Sequence, residues 1–262
     1  YYKNGVYDFS DAVKYVKDIV KEYDIAYYNQ ETPTGDDSIA YSGYPMFYTP
    51  SAYVDAMRAV GFNTVSLASN HSLDKGEKGI LNTVKYFKTT DILYNGMSNS
   101  EEDRNNFIIK EKNNITYTML SYTTITNGLN VPAGKSYLLN KYDKEQVKKD
   151  IEAVRDKVDV LIVAMHWGIE YINMPNDEEK EIAEYLSSLG VDIVIGNHPH
   201  ILQPITKIGD TIVMYSLGNF ISNQYGGSNG DWNKLIGFMA TLDITKTVSK
   251  DNEVNMTFDN LG

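Results

Sequence analysis

The sequence predicts an α/β fold in which helices alternate with strands and the sheets are mixed, as in a layered sandwich. Two continuous apolar runs, Asp159 to Met165 and Val191 to Ile195, are typical of strands buried on both faces. The pairs Asn113-Asn114 and Gly209-Asp210 each separate two apolar segments and predict hairpin turns. Because buried strands and hairpins occur in one chain, we expect parallel and antiparallel pairing together.

Apolar spacing and stop signals predict the individual elements. Helices are expected at Ser10 or Asp11 to Tyr23, Ser51 to Val60, Gly79 to Lys88, Asp143 to Val158 and Asp177 to Leu189. Strands are expected at 24–28, 62–68, 91–94, 107–112, 115–122, 159–165, 191–195, 201–208, 211–216, 235–244 and 253–258. Loops are expected at 32–50, 123–140 and, rich in Gly and Asn, at 223–233. No repeat or linker divides the chain, so 1–262 is predicted to be a single domain.

Composition excludes several classes of function. The chain has 262 residues, with 24 Lys and Arg against 35 Asp and Glu, a net charge of −11. Nucleic-acid binders commonly carry a basic face, so no nucleic-acid partner is expected, and an anionic ligand would need a local cation such as a metal. The absence of cysteine excludes thiolate catalysis and Cys-ligated metal. No apolar run approaches the roughly 18 residues of a membrane helix.

The four histidines of the chain share one kind of position, the point where the chain leaves a predicted buried strand. They are His71, His166, His198 and His200. In open α/β sheets this edge binds ligands, and imidazole is the commonest metal ligand. Each histidine alone has an ordinary reading as a turn or packing residue. Together they predict a metal or phosphate site.

Residues beside the histidines extend the candidate ligand set. Pro199 separates His198 from His200, and in extended backbone both imidazoles would lie on one side. Asn70 offers an amide oxygen next to His71, and Glu31 follows another short strand and adds a carboxylate. Imidazole, amide and carboxylate donors suit zinc, manganese or iron.

Five ordered motifs resemble the bacterial capsule synthesis protein family, the CapA/PgsA type associated with poly-γ-glutamate. They are Asn29-Gln-Glu-Thr-Pro, Ser66-Leu-Ala-Ser-Asn-His-Ser-Leu-Asp-Lys-Gly76, His166-Trp-Gly-Ile-Glu-Tyr171, Gly196-Asn-His-Pro-His-Ile-Leu-Gln-Pro204 and Tyr215-Ser-Leu-Gly-Asn-Phe220. The resemblance covers about Tyr7 to Phe220. That family is in turn similar to the calcineurin-like metallophosphoesterases, which implies a four-layer α/β/β/α sandwich with mixed sheets and a two-metal site at the strand ends.

The resemblance also implies a role for each candidate residue. Glu31 takes the place of the bridging carboxylate, Asn70, His166 and His198 those of ligands to one metal, and His200 that of a ligand to the other. His71 takes the place of the catalytic histidine beside the substrate. The implied cofactors are one or two divalent ions of Mn, Fe or Zn. A family Gly-Asp strand upstream of Tyr7 does not match here, so incomplete metal occupancy is expected.

Two functions from different classes follow from the resemblance. The first is a metal-dependent hydrolase or transferase in extracellular capsule assembly, acting on a phosphate ester, an amide or the end of an anionic polymer such as poly-γ-glutamate. The second is a non-catalytic, surface-anchored subunit that binds the polymer or the membrane subunits of the capsule synthase. Both imply the extracellular face of the cell membrane, with an anchor in an N-terminal segment outside this chain.

Overall fold

The computed structural model describes residues 1–224 and 232–262. Most of the loop predicted at 223–233 therefore lies outside the described residues. The chain forms a mixed α/β fold with several sheets, as predicted. It divides into two compact units. Unit 1 comprises Tyr1–Ile108, Met119–Asp150 and Val163–Trp167, and unit 2 comprises Ile109–Thr118, Ile151–Ile162 and Gly168–Gly262.

The helices and strands of the described residues are as follows. The α-helices are α1 Ser10–Val13, α2 Lys17–Val20, α3 Ala52–Val60, α4 Gly76–Phe87, α5 Glu101–Arg104, α6 Lys144–Val154 and α7 Asp177–Ser188. The strands are β1 Tyr2–Lys3, β2 Val6–Tyr7, β3 Tyr27–Asn29, β4 Thr34–Gly35, β5 Thr49–Pro50, β6 Thr64–Ser66, β7 Leu93–Asn95, β8 Lys110–Lys112, β9 Ile115–Thr123, β10 Val160–His166, β11 Ile193–Asn197, β12 Ile205–Ile208, β13 Thr211–Met214, β14 Asp243–Val248 and β15 Val254–Asp259. Short 3₁₀ helices occur at Ser136–Leu138, Arg155–Lys157 and Trp232–Leu235.

A three-stranded parallel sheet, in the order β3-β6-β7, positions the first candidate residues. All three residues of β6 are buried, as expected for the central strand. Helix α3 ends at Gly61, whose φ of 117° requires glycine, and the chain then enters β6. Each strand therefore runs into its sheet in the same direction, and β6 delivers the chain toward Asn70 and His71.

A six-stranded sheet has the order β12-β13-β11-β10-β9-β8. All seven residues of β10 are buried, as the apolar run predicted. Strands β11 and β13 pair in parallel, whereas β12–β13 and β8–β9 pair antiparallel. Asn113 and Asn114 both adopt left-handed backbone, with φ of 52° and 63°, which is the geometry of a type I′ hairpin turn. The predicted mixture of pairing is confirmed.

Three predicted elements differ most from the structure, and the strand predicted at 201–208 also begins only at Ile205. The helix predicted to run from Ser10 to Tyr23 is split into α1 and α2, because the Val16 N–H bonds to Val13 O three residues back instead of continuing an α-helical ladder. Poor helix formers stand at the break, Tyr15 and Val16. The strand predicted at 235–244 begins only at Asp243.

The third error is in the loop predicted at 32–50, which contains the short parallel strands β4 and β5. The Thr49 N–H donates to Pro33 O at 2.9 Å, and the Thr34 hydroxyl donates to Thr49 O at 2.8 Å. Backbone N–H and C=O groups that lie far apart in this polar segment are thus hydrogen-bonded by partners across the segment. The local content of Gly, Pro and Ser cannot predict such pairing. The prediction of a single domain over 1–262 stays a prediction. None of the helices in the described ranges is long and apolar enough to cross a bilayer.

Candidate functional site

Asn70 and His166 lie side by side in unit 1. His166 is the last residue of β10, and Asn70 lies in the turn that follows β6. Both are buried, each with 1% of its surface exposed. The Asn70 Oδ1 atom is 3.0 Å from His166 Nε2, and Asn70 Nδ2 donates to Asn127 Oδ1 at 3.3 Å. The structure therefore brings together two of the predicted ligands.

The turn that carries Asn70 is held by two serines. The Ser72 hydroxyl donates to Leu67 O at 2.8 Å and accepts from the Ser69 N–H at 2.8 Å. The Ser69 hydroxyl donates to the backbone carbonyl of Glu31, and the Glu31 residue is half-buried beside the turn. These bonds fix the backbone on both sides of Asn70.

A glycine lets the neighbouring strand approach this turn closely. Gly96 follows β7 with φ of 117°, and a Cβ atom there would lie 2.4 Å from Ala68 N. Any side chain at this position would push β7 away from the chain entering the turn. Gly96 thus allows β7 to pack closely against the backbone that leads to Asn70.

His71 forms a dyad with Asp74. The His71 Nδ1 atom is 2.8 Å from Asp74 Oδ2, and the same oxygen accepts from the Phe47 N–H at 2.7 Å. The Phe47 ring packs edge-on against the imidazole at a centroid distance of 4.7 Å. A carboxylate can only accept, so the proton of neutral His71 is on Nδ1 and the lone pair is on Nε2. This is the arrangement of an oriented general acid or base.

His198 and His200 lie in unit 2, directly after β11. Their ring centroids are 6.1 Å apart, and each residue is 9% exposed. The expectation of extended backbone is wrong here, because φ is 100° at His198 and 61° at His200. A tight turn held by the Tyr171 N–H, which donates to Pro199 O at 2.8 Å, replaces the extended segment. Positive φ in residues other than Gly costs energy and is concentrated at functional sites.

Tyr171 covers His200 and is itself strained. Its φ is 65°, an outlier for an aromatic residue. The ring stacks on that of His200 with centroids 5.8 Å apart, and the Lys234 ammonium lies 3.6 Å from the Tyr171 centroid. The His200 Nδ1 atom is 2.9 Å from Asn219 Oδ1. The imidazole of His200 is therefore held at its face and at its edge.

The loop after His166 depends on a buried carboxyl group. Gly168 has φ of 81°, and a Cβ there would lie 2.5 Å from Glu179 Oε1. Burial raises the pKa of Glu179 above its usual range, although the Asn176 N–H and Gln203 partly offset the rise. The Gln203 Nε2 atom donates to Ile172 O at 2.9 Å, which ties the same loop to the segment after His200.

Part of a metal coordination sphere fits the donors of unit 1. Two ligands about 2.1 Å from one tetrahedral ion lie about 3.4 Å apart. Asn70 Oδ1 and His166 Nε2 are 3.0 Å apart and hydrogen-bonded, so they would share an ion only after the Nε2 proton leaves and the pair opens slightly. Within residues 1–224 and 232–262, however, no group of three His, Asp or Glu side chains could hold a metal ion. The pair fits a divalent ion only if further donors join it.

Several residues around these histidines were not assigned a role from the sequence. Asp74 is three positions after His71, a spacing that a search for His-x-x-Asp would have found. Asn219, in the Leu217-Gly-Asn219 segment, and Lys234 gave no such signal, because their partners are distant in sequence. Ser216 is a turn residue, whose hydroxyl accepts from the Gly218 N–H at 3.3 Å.

The fold is that of the metallophosphoesterase-like α/β proteins. A solved structure of a candidate 5′-nucleotidase from Staphylococcus aureus, in complex with α-ketoglutarate, matches with a TM-score of 0.59 and 16% identity. The match covers 96% of this chain and 47% of that chain. A hypothetical protein from Thermus thermophilus matches with a TM-score of 0.54 and 13% identity, over 96% and 94% of the two chains. At these identities the likeness establishes the fold alone.

Within that class, the chain belongs to the bacterial capsule synthesis proteins of the PGA_cap family, whose model matches residues 1–224. The capsule biosynthesis protein CapA of Bacillus anthracis is 31% identical over 175 residues, 65% of this chain and 43% of the relative. The PGA biosynthesis protein CapA of Bacillus subtilis (strain 168) is 31% identical over 179 residues, 65% and 45% of the two. The chain thus spans less than half the length of these curated relatives.

Proposed function

We propose that this chain acts in the synthesis of a poly-γ-glutamate capsule, as a metal-dependent hydrolase or transferase on a phosphate ester or a γ-glutamyl amide. The observation that carries the proposal is the buried Asn70–His166 donor pair, with the adjacent residue His71 oriented by Asp74. Membership of the capsule synthesis family supports the pathway. The metallophosphoesterase-like fold supports the reaction class.

Asn70 and His166 would hold a divalent ion of the manganese, iron or zinc class. The resemblance implies three further ligands, Glu31, His198 and His200, and a second ion. Substitution of each residue by itself would test its part in metal binding. Such an ion would polarise a phosphoryl or carbonyl oxygen and make bound water acidic. The amide and imidazole donors have the chemistry that these ions accept.

His71 is the proposed catalytic residue. Because Asp74 accepts from Nδ1–H, the lone pair of neutral His71 is on Nε2. Nε2 is therefore the atom that takes a proton from a nucleophile or, once protonated, gives it to a leaving group. The edge-on Phe47 ring and Asp74 hold the imidazole plane, so that the proton is delivered in one direction.

A second candidate function is a non-catalytic subunit that binds the polymer or the membrane subunits of the capsule synthase. One observation favours it: within the described ranges no group of three His, Asp or Glu side chains could hold a metal ion. The net charge of −11 sets a condition on polymer binding. An acidic chain and polyglutamate repel each other, so their association would need bridging cations. In either case we propose that the protein lies on the outer face of the cell membrane, held by an N-terminal anchor, as the resemblance implies.

The test is turnover of two substrate panels, phosphate esters and γ-glutamyl amides including poly-γ-glutamate, with manganese, iron or zinc supplied. The proposal predicts turnover that His71→Ala lowers by about 10²–10⁴-fold. Asp74→Asn should lower it less, since an amide oxygen can still accept from Nδ1–H. Asp91→Ala, an exposed acidic position away from the dyad, is the control. Turnover unaffected by His71→Ala would contradict the assigned role, and cation-dependent polymer binding without turnover would favour the second candidate.

A further inference from the structure

Asn219 lies between the His200 ring and the backbone of the 3₁₀ helix Trp232–Leu235. Its Oδ1 atom is 2.9 Å from His200 Nδ1, and its Nδ2 atom donates to Lys234 O at 2.9 Å. A second, longer contact joins Nδ2 to Gln224 Oε1 at 3.4 Å. All four residues belong to unit 2, and Lys234 lies beyond the segment that the family model matches.

The orientation of the Asn219 amide follows from the Lys234 carbonyl. A backbone carbonyl oxygen can only accept a hydrogen bond, so the atom that faces it at 2.9 Å must be the NH₂ group. The reverse orientation would place two oxygens against each other at that distance and would lose the bond. The amide oxygen of Asn219 is therefore the atom that faces His200.

We infer that Asn219 is a positioning residue that holds neutral His200 in the Nδ1–H tautomer. An amide oxygen only accepts, so the His200 nitrogen 2.9 Å from it must carry the proton. The lone pair of the imidazole is then on Nε2. The hydrogen bond made by one ring nitrogen decides what the other can do, as in the outer-shell partners of metal-binding histidines.

The ring is also fixed in orientation. Tyr171 stacks on it with an interplanar angle of 25°, and the Lys234 ammonium lies over the Tyr171 ring. Lys234 thus acts at two points, since its carbonyl orients Asn219 and its ammonium holds Tyr171. The result is an imidazole whose ring plane is held by Tyr171 and whose Nδ1–H is held by Asn219, so that the direction of the Nε2 lone pair is set.

A role of Nε2 in binding a cation or accepting a proton rests on the proposed function, but the assignment of the Nδ1–H tautomer does not. If a divalent ion or a substrate proton meets His200, it does so at Nε2. Asn219→Ala would remove the acceptor at Nδ1 and allow the ring to exchange tautomers. Asn219→Asp would keep an acceptor oxygen there, and Gln224→Ala would leave both 2.9 Å contacts in place.

The test is two-bond ¹H–¹⁵N correlation spectroscopy of histidine-labelled protein, with a chelator present and at about pH 9, well above the usual imidazole pKa of about 6.5. The His200 signals are assigned by their loss in His200→Gly, a change that suits the positive φ of this position. We expect a protonated Nδ1 and a pyridine-like Nε2 in the wild type, in Asn219→Asp and in Gln224→Ala. Asn219→Ala should show a mixture or the Nε2–H form.

An Nε2–H wild type, or the same Nδ1–H tautomer in Asn219→Ala, would overturn the inference. If Asn219→Ala does not fold, the wild type and Asn219→Asp decide, because both must show Nδ1–H. The spectra are recorded without metal, so they are independent of the proposed function. Absence of turnover and metal with an Nδ1–H spectrum would contradict the proposed function and leave the inference intact.

Discussion

Asp74 shows how one buried oxygen can organise a candidate catalytic residue. Its Oδ2 atom accepts from the His71 ring and from the Phe47 backbone, and the residue is only 3% exposed. The same carboxylate thus connects a loop at residue 47 with the turn that carries Asn70 and His71. Loss of this oxygen would leave a partly buried backbone N–H without its acceptor, which costs more than the loss of an exposed hydrogen bond.

Asp74→Ala is therefore expected to lower the free energy of unfolding by about 1–3 kcal/mol. Asp74→Asn should cost less, since an amide oxygen in the place of Oδ2 has two lone pairs and can still accept both bonds. Both are measured by urea unfolding, with Asp91→Ala at an exposed position as the control. An Asp74→Ala protein as stable as the control would show that these bonds contribute nothing to folding.

The candidate residues differ in how far the sequence could predict them. His166 ends β10, and His198 and His200 follow β11 closely, whereas His71 lies in the turn several residues after β6. The sequence shows these positions because a buried strand is an apolar run followed by polar residues. Their neighbours depend on contacts over long sequence distances, such as 19 positions between His200 and Asn219. The left-handed backbone at His198 and His200 was also not predictable, since it depends on the bond from Tyr171 to Pro199.

At the scale of elements, a buried ion pair joins two helices and a strand of unit 1. Arg104 at the end of α5 makes two hydrogen bonds to Asp150 in α6, whose side chain is 3% exposed. The Tyr122 hydroxyl of β9 donates to the same carboxylate at 2.7 Å, and Gln146 donates at 2.9 Å. Burial, and then the Asp150 charge, raise the pKa of Tyr122 well above its usual value. The tyrosine is therefore a hydrogen-bond donor at any physiological pH.

Asp150→Ala is expected to destabilise the protein by about 3–5 kcal/mol, because it leaves the Arg104 guanidinium buried without its counter-charge. Asp11→Ala, which removes an exposed pair with Lys14, should change stability little. Denaturant unfolding of the two variants beside the wild type measures the difference. Equal, small effects would mean that the guanidinium finds compensating solvent or another partner.

Helix α7 begins with a capping box that includes a perturbed carboxyl group. Asn176 Oδ1 accepts from the Glu179 N–H at 2.9 Å, and Glu179 Oε2 accepts from the Asn176 N–H at 2.8 Å. Because burial raises the pKa of Glu179, the folded state binds its proton more tightly than the unfolded state does. The contribution of this group to stability is therefore largest below its usual pKa of 4.5 and declines as the pH rises through the raised value.

Glu179→Gln keeps an oxygen for the Asn176 N–H but cannot ionise. The stability of the wild type relative to this variant should therefore fall as the pH rises above 4.5 and then level off. Glu178→Gln, at the exposed neighbouring position, controls for the loss of a negative charge at the helix N-terminus. Parallel thermal unfolding curves across the acidic range provide the measurement. A pH-independent difference would contradict the raised pKa.

The sequence predicted long elements better than short ones. Helices α3 and α7 and the buried strand β10 were placed close to their observed ends, because their apolar periodicity extends over several turns or a full strand. Helix α4 begins three residues earlier than predicted, and α6 ends four residues earlier. Strands β4 and β5 have two residues each and exist through the contact between Pro33 and Thr49. The split between α1 and α2 likewise depends on the hydrogen bond from the Val16 N–H to Val13 O, which apolar periodicity cannot predict.

At the scale of the whole molecule, charge restricts what the protein can bind. A net charge of −11 opposes approach of an anionic polymer at low ionic strength. Several lysines, such as Lys135 with Glu77 and Lys246 with Asp159, are committed to carboxylates of the protein itself. The proposed binding of poly-γ-glutamate should accordingly depend on a divalent cation, so the metal content of the protein is the property to measure.

The fold class and the family are both recognisable in the sequence, since five ordered motifs carry the resemblance and the family model covers 1–224. The grouping into two units is not, because it depends on which segments pack together rather than on any break in composition. Segments of β9 and β10 contribute to both units, so no boundary in the sequence marks the division.

The most direct test of the account is metal content by elemental mass spectrometry after purification with manganese, iron and zinc supplied. We predict bound metal in the wild type, lost in His166→Ala and Asn70→Ala and retained in the control Gln224→Ala. His198→Gly and His200→Gly, chosen because glycine suits their positive φ, test the remaining imidazoles. No bound metal in the wild type, or metal that survives both His166→Ala and Asn70→Ala, would contradict the metal-dependent function.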